Sequence, residues 1–337
     1  MNYVIETENL SRVYQSYKKP EGLKASIKGF FNREYEVRTA LKATNIKLER
    51  GQIVGLVGSN GAGKTTLLKL LSGLIYPSSG TARVLGFEPW KRQSQYLKKI
   101  SLLLGQKNQL WWDLPAADSY DLLSTIYELD KGAAKKRVKM LSEMLDCAHL
   151  LHVQLRRLSL GERMKMEIIG SLLHEPEILF LDEPTIGLDI VAQAKIREFL
   201  ADYVRDRAPT IILTSHYMDD ISRLAKRLLL ISRGEIVYDG GVQQFVKQVE
   251  TRQKIIISTE KALQHPIQLD NGNELAAGQS YFSTDVAPHE VGKLLPKILE
   301  QSSIREIKTE DMDFEDVIRR FLEKDQRRIQ TSHTESV

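Results

Sequence analysis

A single cysteine, Cys147, leaves the chain without an internal disulfide or a cysteine-built metal site. That usage fits a reducing cytosol. Long apolar runs are also missing. Stretches such as IIL and LLLI are short, and none approaches the roughly 18–20 residues that cross a bilayer. The first residues, MNYVIETENL, have no basic region followed by an apolar one, so they do not read as a secretory signal. Nor is there a large excess of charge. A balance of +4 over 337 residues is too small to argue by itself for nucleic acid or a membrane surface. What remains is an ordinary globular composition, 42% hydrophobic and 27% charged, at a length that suits two or three domains with a sizeable core.

Against that background one stretch stands out. IVGLV, residues 53–57, is a short apolar run that reads as a buried strand. It leads into GSNGAGKTT, residues 58–66, and then LLKLLSGL. Strand, glycine-rich loop and helix in that order match G-x-x-x-x-G-K-[ST], with Gly58, Gly63, Lys64 and Thr65 at the defining positions. Backbone N–H groups must converge on phosphate oxygens, so Gly58, Gly61 and Gly63 remove side chains from the approach. Ser59, Asn60, Ala62 and Thr66 complete the loop. The following helix aims its positive end at the same anion. Lys64 offers a mobile charge to the terminal phosphates, and the Thr65 hydroxyl can ligate Mg²⁺.

A second apolar run, ILFL at 178–181, ends in Asp182 and Glu183. Carboxylates at the C-terminal edge of such a strand are what a Mg²⁺-nucleotide site needs beside the loop. Asp182 is expected to hold Mg²⁺, and Glu183 to polarise the attacking water. Alone, the same residues read as a turn closing a strand. A third run, TIILTS at 210–215, ends beside His216. Its place at the end of a neighbouring strand makes it a candidate contact for a γ-phosphate.

The order of motifs resembles the ATP-binding subunit of ABC transporters. It comprises GSNGAGKTT, a glutamine after a strand (LLLGQ, Gln106), LSLGE, ILFLDEPTIGLD and TSH, over roughly residues 3–245. The resemblance implies an α/β fold: a P-loop NTPase of RecA-like core, an antiparallel β subdomain, and a helical subdomain inserted between Gln106 and LSLGE. It assigns residues 1–245 to the ATPase domain, with the helical subdomain at about 88–160. It also implies roles. Gln106 would touch Mg²⁺ or the water, Asp189 would lie at a subunit interface, and His216 would act as the switch at the γ-phosphate. ATP and Mg²⁺ are the implied cofactors. An aromatic near the N-terminus should stack on adenine; Tyr14 holds the usual position, while an extra segment brings Tyr35 into play.

LSLGE departs from the family's usual Leu-Ser-Gly-Gly-Gln at Leu160 and Glu162. Ser159 and Glu162 stand in S-x-x-E spacing, a capping box. ERMKMEIIGSLL then continues as a helix, with Met166, Ile169, Leu172 and Leu173 on one face. A capped N-terminus carrying Gly161 is also an anion site. Since the loop at 58–66 already serves one ATP, the surplus site is expected to face the ATP of another subunit, with Ser159, Gly161 and Glu162 as contacts.

Other segments are less specific. Residues 15–36 carry Leu23, Ile27, Phe30 and Phe31 on one helical face, with Lys24 and Lys28 around it. This fits either a basic amphipathic helix at a membrane or partner surface or a solvated hairpin elaboration. The paired tryptophans of QLWWDLPAADSYDLL, 109–123, suit either a groove for a membrane subunit or core packing. This stretch resembles the daunorubicin-resistance-like exporter branch. Residues 246–325 read as a small α/β extension, and 326–337 as a polar, disordered tail.

Together these readings describe an ATPase that powers a membrane exporter by ATP-driven dimerisation. Its partners would be a membrane-spanning permease and a second ATPase subunit, identical or paralogous, at the cytoplasmic membrane face, with no nucleic acid. The alternative is a soluble ABC-class ATPase uncoupled from transport. A repair-type member is excluded because no sustained heptads separate residues 66 and 158. A translation-type member would carry each motif twice. A guanine-type switch would need an N-K-x-D reader.

Overall fold

The computed structural model describes residues 3–17, 35–105, 107–249, 253–269, 274–310 and 314–323. The chain divides into two compact units, Met1–Val242 and Gln243–Val337.

The first unit is built on a six-stranded sheet of order β5-β6-β7-β3-β8-β9. Its strands are β3 (Ile53–Val57), β5 (Ile100–Leu104), β6 (Ile178–Asp182), β7 (Thr210–Thr214), β8 (Arg227–Ser232) and β9 (Glu235–Gly241). All neighbouring pairs are parallel except β8 with β9. Every residue of β3, β6 and β7 is buried. Continuous apolar runs rather than alternating ones follow from that, because both faces of a parallel sheet are covered.

The chain order matters for the site. β3 comes first of the three yet lies between β7 and β8, so the sheet is not filled in sequence. Ligand sites form at the carboxyl ends of strands where such an order reverses. Those ends here carry the loop after Val57, the pair Asp182–Glu183, and Ser215–His216.

A second, antiparallel sheet has the order β2-β1-β4, with β1 Tyr3–Tyr17, β2 Tyr35–Glu49 and β4 Ser79–Val84. Irregular register between Thr7 and Leu10 lets the Thr7 hydroxyl bond backbone groups on β2. It donates to Thr44 O at 2.9 Å and accepts from Ile46 N at 2.9 Å. The two sheets and the helix α1 (Lys64–Leu71) share one apolar core, which includes Ile5, Leu48, Leu67, Leu71 and Phe180. Residues 15–17 and 35–36 of the extra segment are ladder residues of this hairpin, with Tyr17 opposite Tyr35. The amphipathic pattern at 23–31 lies outside the described residues.

Between β5 and β6 run α2 (Ala116–Ile126), α3 (Lys131–Met144) and α4 (Leu160–Leu172). Asp130 caps α3 by accepting from Ala133 N at 2.8 Å. Tyr120 donates to Met166 O at 2.9 Å and ties α2 to α4. Met166, Ile169, Leu172 and Leu173 are fully buried, as the apolar face of α4 requires. Residues 100–104, ahead of Gln106, form the strand β5 of the main sheet, in line with LLLGQ as a strand followed by a glutamine. Their run ISLLL is apolar and only five residues long, as a buried strand requires.

The second unit holds the sheet β13-β10-β14, comprising β10 Gln253–Thr259, β13 Tyr281–Val286 and β14 Ile304–Glu310. A short hairpin, β11 (Ile267–Gln268) with β12 (Glu274–Leu275), and α7 (Pro288–Leu299) complete it. Leu294 and Ile298 of α7 pack with Ile255, Ile257 and Phe282 of the sheet. Residues 314–323 are helical, and Phe314 and Phe321 meet the ring of Phe245 edge-on at 6.2 and 5.1 Å.

Phe180 is fully buried in the middle of β6. Phe180→Ala should therefore destabilise the first unit by about 3–5 kcal/mol. Urea unfolding followed by a probe in that unit will measure it, and a shift under 1 kcal/mol would contradict this packing.

Candidate functional site

β3 hands the chain to the loop at its carboxyl end, and α1 begins at Lys64 behind Gly63, whose φ of 117° suits only glycine. A Cβ on Gly58 would sit 2.2 Å from the carbonyl oxygen of Ile231. Gly58 is thus demanded by the neighbouring strand, a reason the phosphate motif alone did not supply. Ala62 is buried, its N–H bonded to Ser59 O at 3.1 Å and its carbonyl to Gly234 N at 2.8 Å. The loop is therefore anchored to the turn between β8 and β9.

Lys64 is buried and curls back over its own loop, donating to Gly58 O at 2.7 Å and Ser59 O at 3.2 Å. Burial lowers its pKa, while Glu183 and Asp182 act in the opposite direction.

A cavity of about 460 Å³ opens over this loop, lined among others by Tyr14, Arg38, Asn60, Lys64, Thr65 and Glu183. Gly61, Gly63 and Thr66 line it too. Its volume lies in the range of small-ligand sites. Tyr14 stands opposite Arg38 in the β1–β2 ladder, and the Arg12 guanidinium lies 4.7 Å from the Tyr14 ring centre. Tyr35, more than half exposed and nearer the hairpin end, does not line the cavity. An aromatic at one end and loop amides with a lysine at the other suit a nucleotide carrying a phosphate chain.

The acidic pair is held by one hydroxyl. Thr214, the last residue of β7, donates its Oγ1 to Asp182 Oδ1 at 2.7 Å and accepts from Glu183 N at 3.0 Å. Asp182 Oδ2 accepts from Thr65 Oγ1 at 2.7 Å. A threonine hydroxyl and a carboxylate, with no sulfur or nitrogen donor between them, form a donor set for a hard cation such as Mg²⁺. Glu183 has φ 58°, unusual for a residue with a side chain. That backbone turn puts Glu183 Oε1 2.8 Å from His216 Nε2. Gly105 approaches from β5: its N–H bonds to Asp182 O at 2.8 Å, and a Cβ there would meet Glu183 O at 2.3 Å. Gln106, next in the chain, lies outside the described residues.

Behind this pair sits a group that motif reading missed. Asp220 is fully buried in α6 (Met218–Leu224). It accepts from Thr185 Oγ1 at 2.5 Å, Ser215 Oγ at 2.7 Å and Arg197 Nη1 at 2.7 Å. Thr185 follows Glu183 and Ser215 precedes His216, so one carboxylate positions both. Its only sequence signal was an acidic residue beside Ile221 on the buried face of a short helix.

Ser159, Gly161, Glu162 and Asp189 form a separate group and do not line the cavity. Ser159 caps α4, accepting from Glu162 N at 3.3 Å, while Glu162 Oε2 accepts from Ser159 N and Oγ, each at 2.8 Å. These bonds, the backbone one foremost, hold the Glu162 pKa below the usual carboxylate range. Asp189 caps α5 (Ile190–Arg207), accepting from Ala192 N at 2.9 Å. A Cβ on Gly161 would stand 3.0 Å from Ala192 Cβ, so glycine lets the two helix starts meet.

Further along α4, the buried Glu167 carboxylate accepts from Gln109 N at 3.1 Å and Leu110 N at 3.3 Å, and Arg163 lies 5.0 Å from the Trp112 ring. Trp111 and Trp112 are 41% and 43% exposed, which removes core packing as their explanation.

Residues 41–186 match the family model described as ABC transporter. The ABC transporter ATP-binding protein NatA of Bacillus subtilis is 32% identical over 213 residues, covering 63% of this chain and 86% of that protein. The daunorubicin resistance ATP-binding protein DrrA3 of Streptomyces coeruleorubidus is 32% identical over 208 residues, 62% of this chain and 65% of that protein. Among solved structures, a dimeric ATP-binding cassette, MJ0796, in a post-hydrolysis state with ADP and Pi is similar in fold. Its TM-score is 0.59 at 22% identity, over 70% of this chain and 98% of that one.

Two substitutions test the supports. Asp220→Asn keeps the shape but weakens three bonds, and should slow ATP turnover at least tenfold, about 1.4 kcal/mol, with nucleotide affinity nearly unchanged. An unaltered turnover rate would remove the positioning role. Ser159→Ala should cost about 1 kcal/mol of stability. Because the Glu162 pKa is lowered on folding, its share of the capping energy is present above its unfolded pKa. It is lost as pH falls through the lower, folded value. Thermal melts of the wild type and Ser159→Ala should accordingly differ less at acid pH than at neutral pH.

Proposed function

Since the chain belongs to the family of ABC transporter ATP-binding proteins and is an ABC-type ATPase, we propose that it powers a membrane exporter through ATP-driven closure of two ATPase subunits. The observation that carries this reading is the run of contacts from Thr65 through Asp182 and Thr214 to Glu183 and His216, set at the ends of adjacent strands beside a nucleotide-sized cavity.

ATP bound there supplies the phosphoryl group to be transferred to water. The loop amides and Lys64 hold the phosphates, Tyr14 faces the base, and Thr65 with Asp182 holds Mg²⁺. Glu183 accepts a proton from the attacking water at Oε1 or Oε2. His216, bonded to the same carboxylate, keeps it oriented and leaves its remaining surface for the γ-phosphate. Thr214 keeps Asp182 and Glu183 divided between metal and water.

The capped start of α4 lies apart from this cavity, so its amides serve a phosphate held by another subunit. Glu162 spends its charge on Ser159 within its own turn. Two subunits placed head to tail would then enclose ATP between the loop of one and Ser159–Gly161 of the other. Hydrolysis would release them.

Among the described residues no helix is long and apolar enough to cross a membrane, so transport requires a permease, identical or mixed in its halves. Trp111 and Trp112, exposed and tied to α4 through Arg163 and Glu167, offer that partner a surface at the cytoplasmic membrane face. The direction of export is supported by the resistance protein among the relatives.

Glu183→Gln should bind ATP as the wild type does, lose hydrolysis by at least about 10²-fold, and accumulate an ATP-closed pair, read as a rise in the dimer fraction over that of the nucleotide-free chain when ATP is added. Wild-type turnover in that variant refutes the base assignment. Purification of the native complex from membranes tests the coupling, because recovery without any membrane chain would favour the uncoupled ATPase.

A further inference from the structure

The second unit ends its sheet on a strand that is open along one side. In the order β13-β10-β14, β14 is an edge among the described residues. From Arg305 to Glu310 all its side chains are exposed. Long exposed edges invite pairing, and proteins usually blunt them with proline, a bulge or like charges. β14 has no proline, and its one register irregularity lies near its start, between Ser258 and Thr259 of β10. Its charges alternate in sign instead of repeating: Arg305, Glu306, Lys308, Glu310.

In register, that pattern is complementary to itself in the antiparallel orientation only. Set IREIKTE antiparallel to a second IREIKTE about Ile307. Glu306 then faces the second copy's Lys308, Arg305 faces Thr309, and Ile307 faces Ile307. In the parallel, in-register arrangement each charge faces its own kind, which is destabilising. The opposite edge, YFSTDV, has no such pattern. Its single charge, Asp285, is bonded to Arg320 at 2.7 Å.

The apolar row points the same way. Phe282 and Ile307 both stand directly opposite Ile257 in their ladders, so the three side chains share the core face. Ile257 is fully buried and Phe282 nearly so, yet Ile307 remains 42% exposed. A second Ile307 would continue the row. An antiparallel self-pairing is also two-fold symmetric, and it closes at a dimer where a β14-to-β13 pairing would grow into a fibre.

We propose that β14 is a homodimerisation edge, at which two copies of the chain pair antiparallel about Ile307 into one continuous sheet with three strands from each. This contact needs no nucleotide, so it would keep two ATPase subunits together between closures.

Cysteine cross-linking of the full chain without nucleotide tests it cleanly, since the native Cys147 is buried. Ile307→Cys should form a disulfide dimer rapidly. Ile304→Cys and Glu310→Cys should each cross-link poorly alone but well when mixed. Tyr281→Cys, on the other edge and 61% exposed, should remain uncross-linked. In sedimentation equilibrium, Lys308→Glu should weaken the dimer on the order of tenfold, and Glu306→Lys with Lys308→Glu together should restore it. The proposal falls if Ile307→Cys cross-links no faster than Tyr281→Cys. It falls equally if the double reversal fails to restore what the single one removes. Neither result bears on ATP-driven closure, because no ATP is present.

Discussion

The hydroxyl of Thr214 bonds Asp182 and the backbone of Glu183 at once, and the division of labour between the two acids rests on it. Asp182 is drawn towards Thr65, while the N–H of Glu183 is fixed in a left-handed turn that sends its side chain to His216. Such a turn costs of order 1–3 kcal/mol and persists because its surroundings over-determine it. Gly105 presses on the Glu183 carbonyl from one side, and Asp220 holds Thr185 and Ser215 from another. A parallel sheet makes this possible: adjacent strands end together, so groups far apart in sequence become neighbours at one edge.

The two anion-binding elements differ in what surrounds them. The loop after β3 is anchored on its inner side and open to the cavity on the other: Gly58 sits against Ile231, Ala62 is tied to Gly234, and Lys64 is buried. The start of α4 is built lightly, a capping box with one glycine that touches the start of α5. A rigid cradle suits permanent binding of nucleotide, whereas an exposed capped helix end suits a phosphate that arrives with another molecule. Asp189 belongs to this second group through its cap on α5, so the interface role expected of it and its local structural role share one side chain.

From α4 the structure also reaches outward. Glu167 gathers two backbone N–H groups of residues 109–110, and Arg163 stacks on Trp112 one turn earlier. The helix that presents Ser159 and Gly161 is therefore also tied to the segment that carries the exposed tryptophans. A partner that moved the tryptophans would move the helix whose capped start is proposed to meet phosphate. In the second unit β14 is an edge among the described residues, and what it offers is a matter of strand pairing alone.

Much of this could be read from residue order. Apolar runs of strand length placed β3, β5, β6 and β7. The loop motif, the acidic pair and the capping box were visible because backbone amides, carboxylates and N-caps act over a few residues. Periodicity placed α4. The sequence did not disclose that Gly58 answers to Ile231, that Thr214 joins the acids, or that Asp220 positions both sides of the site. Each of those contacts depends on strand order, and strand order is decided by how the whole chain buries its surface. Nor could alternation of charge at residues 305–310 mean anything until β14 was known to lie at an edge. Local chemistry determined which groups were available; only the folded sheet decided which of them meet.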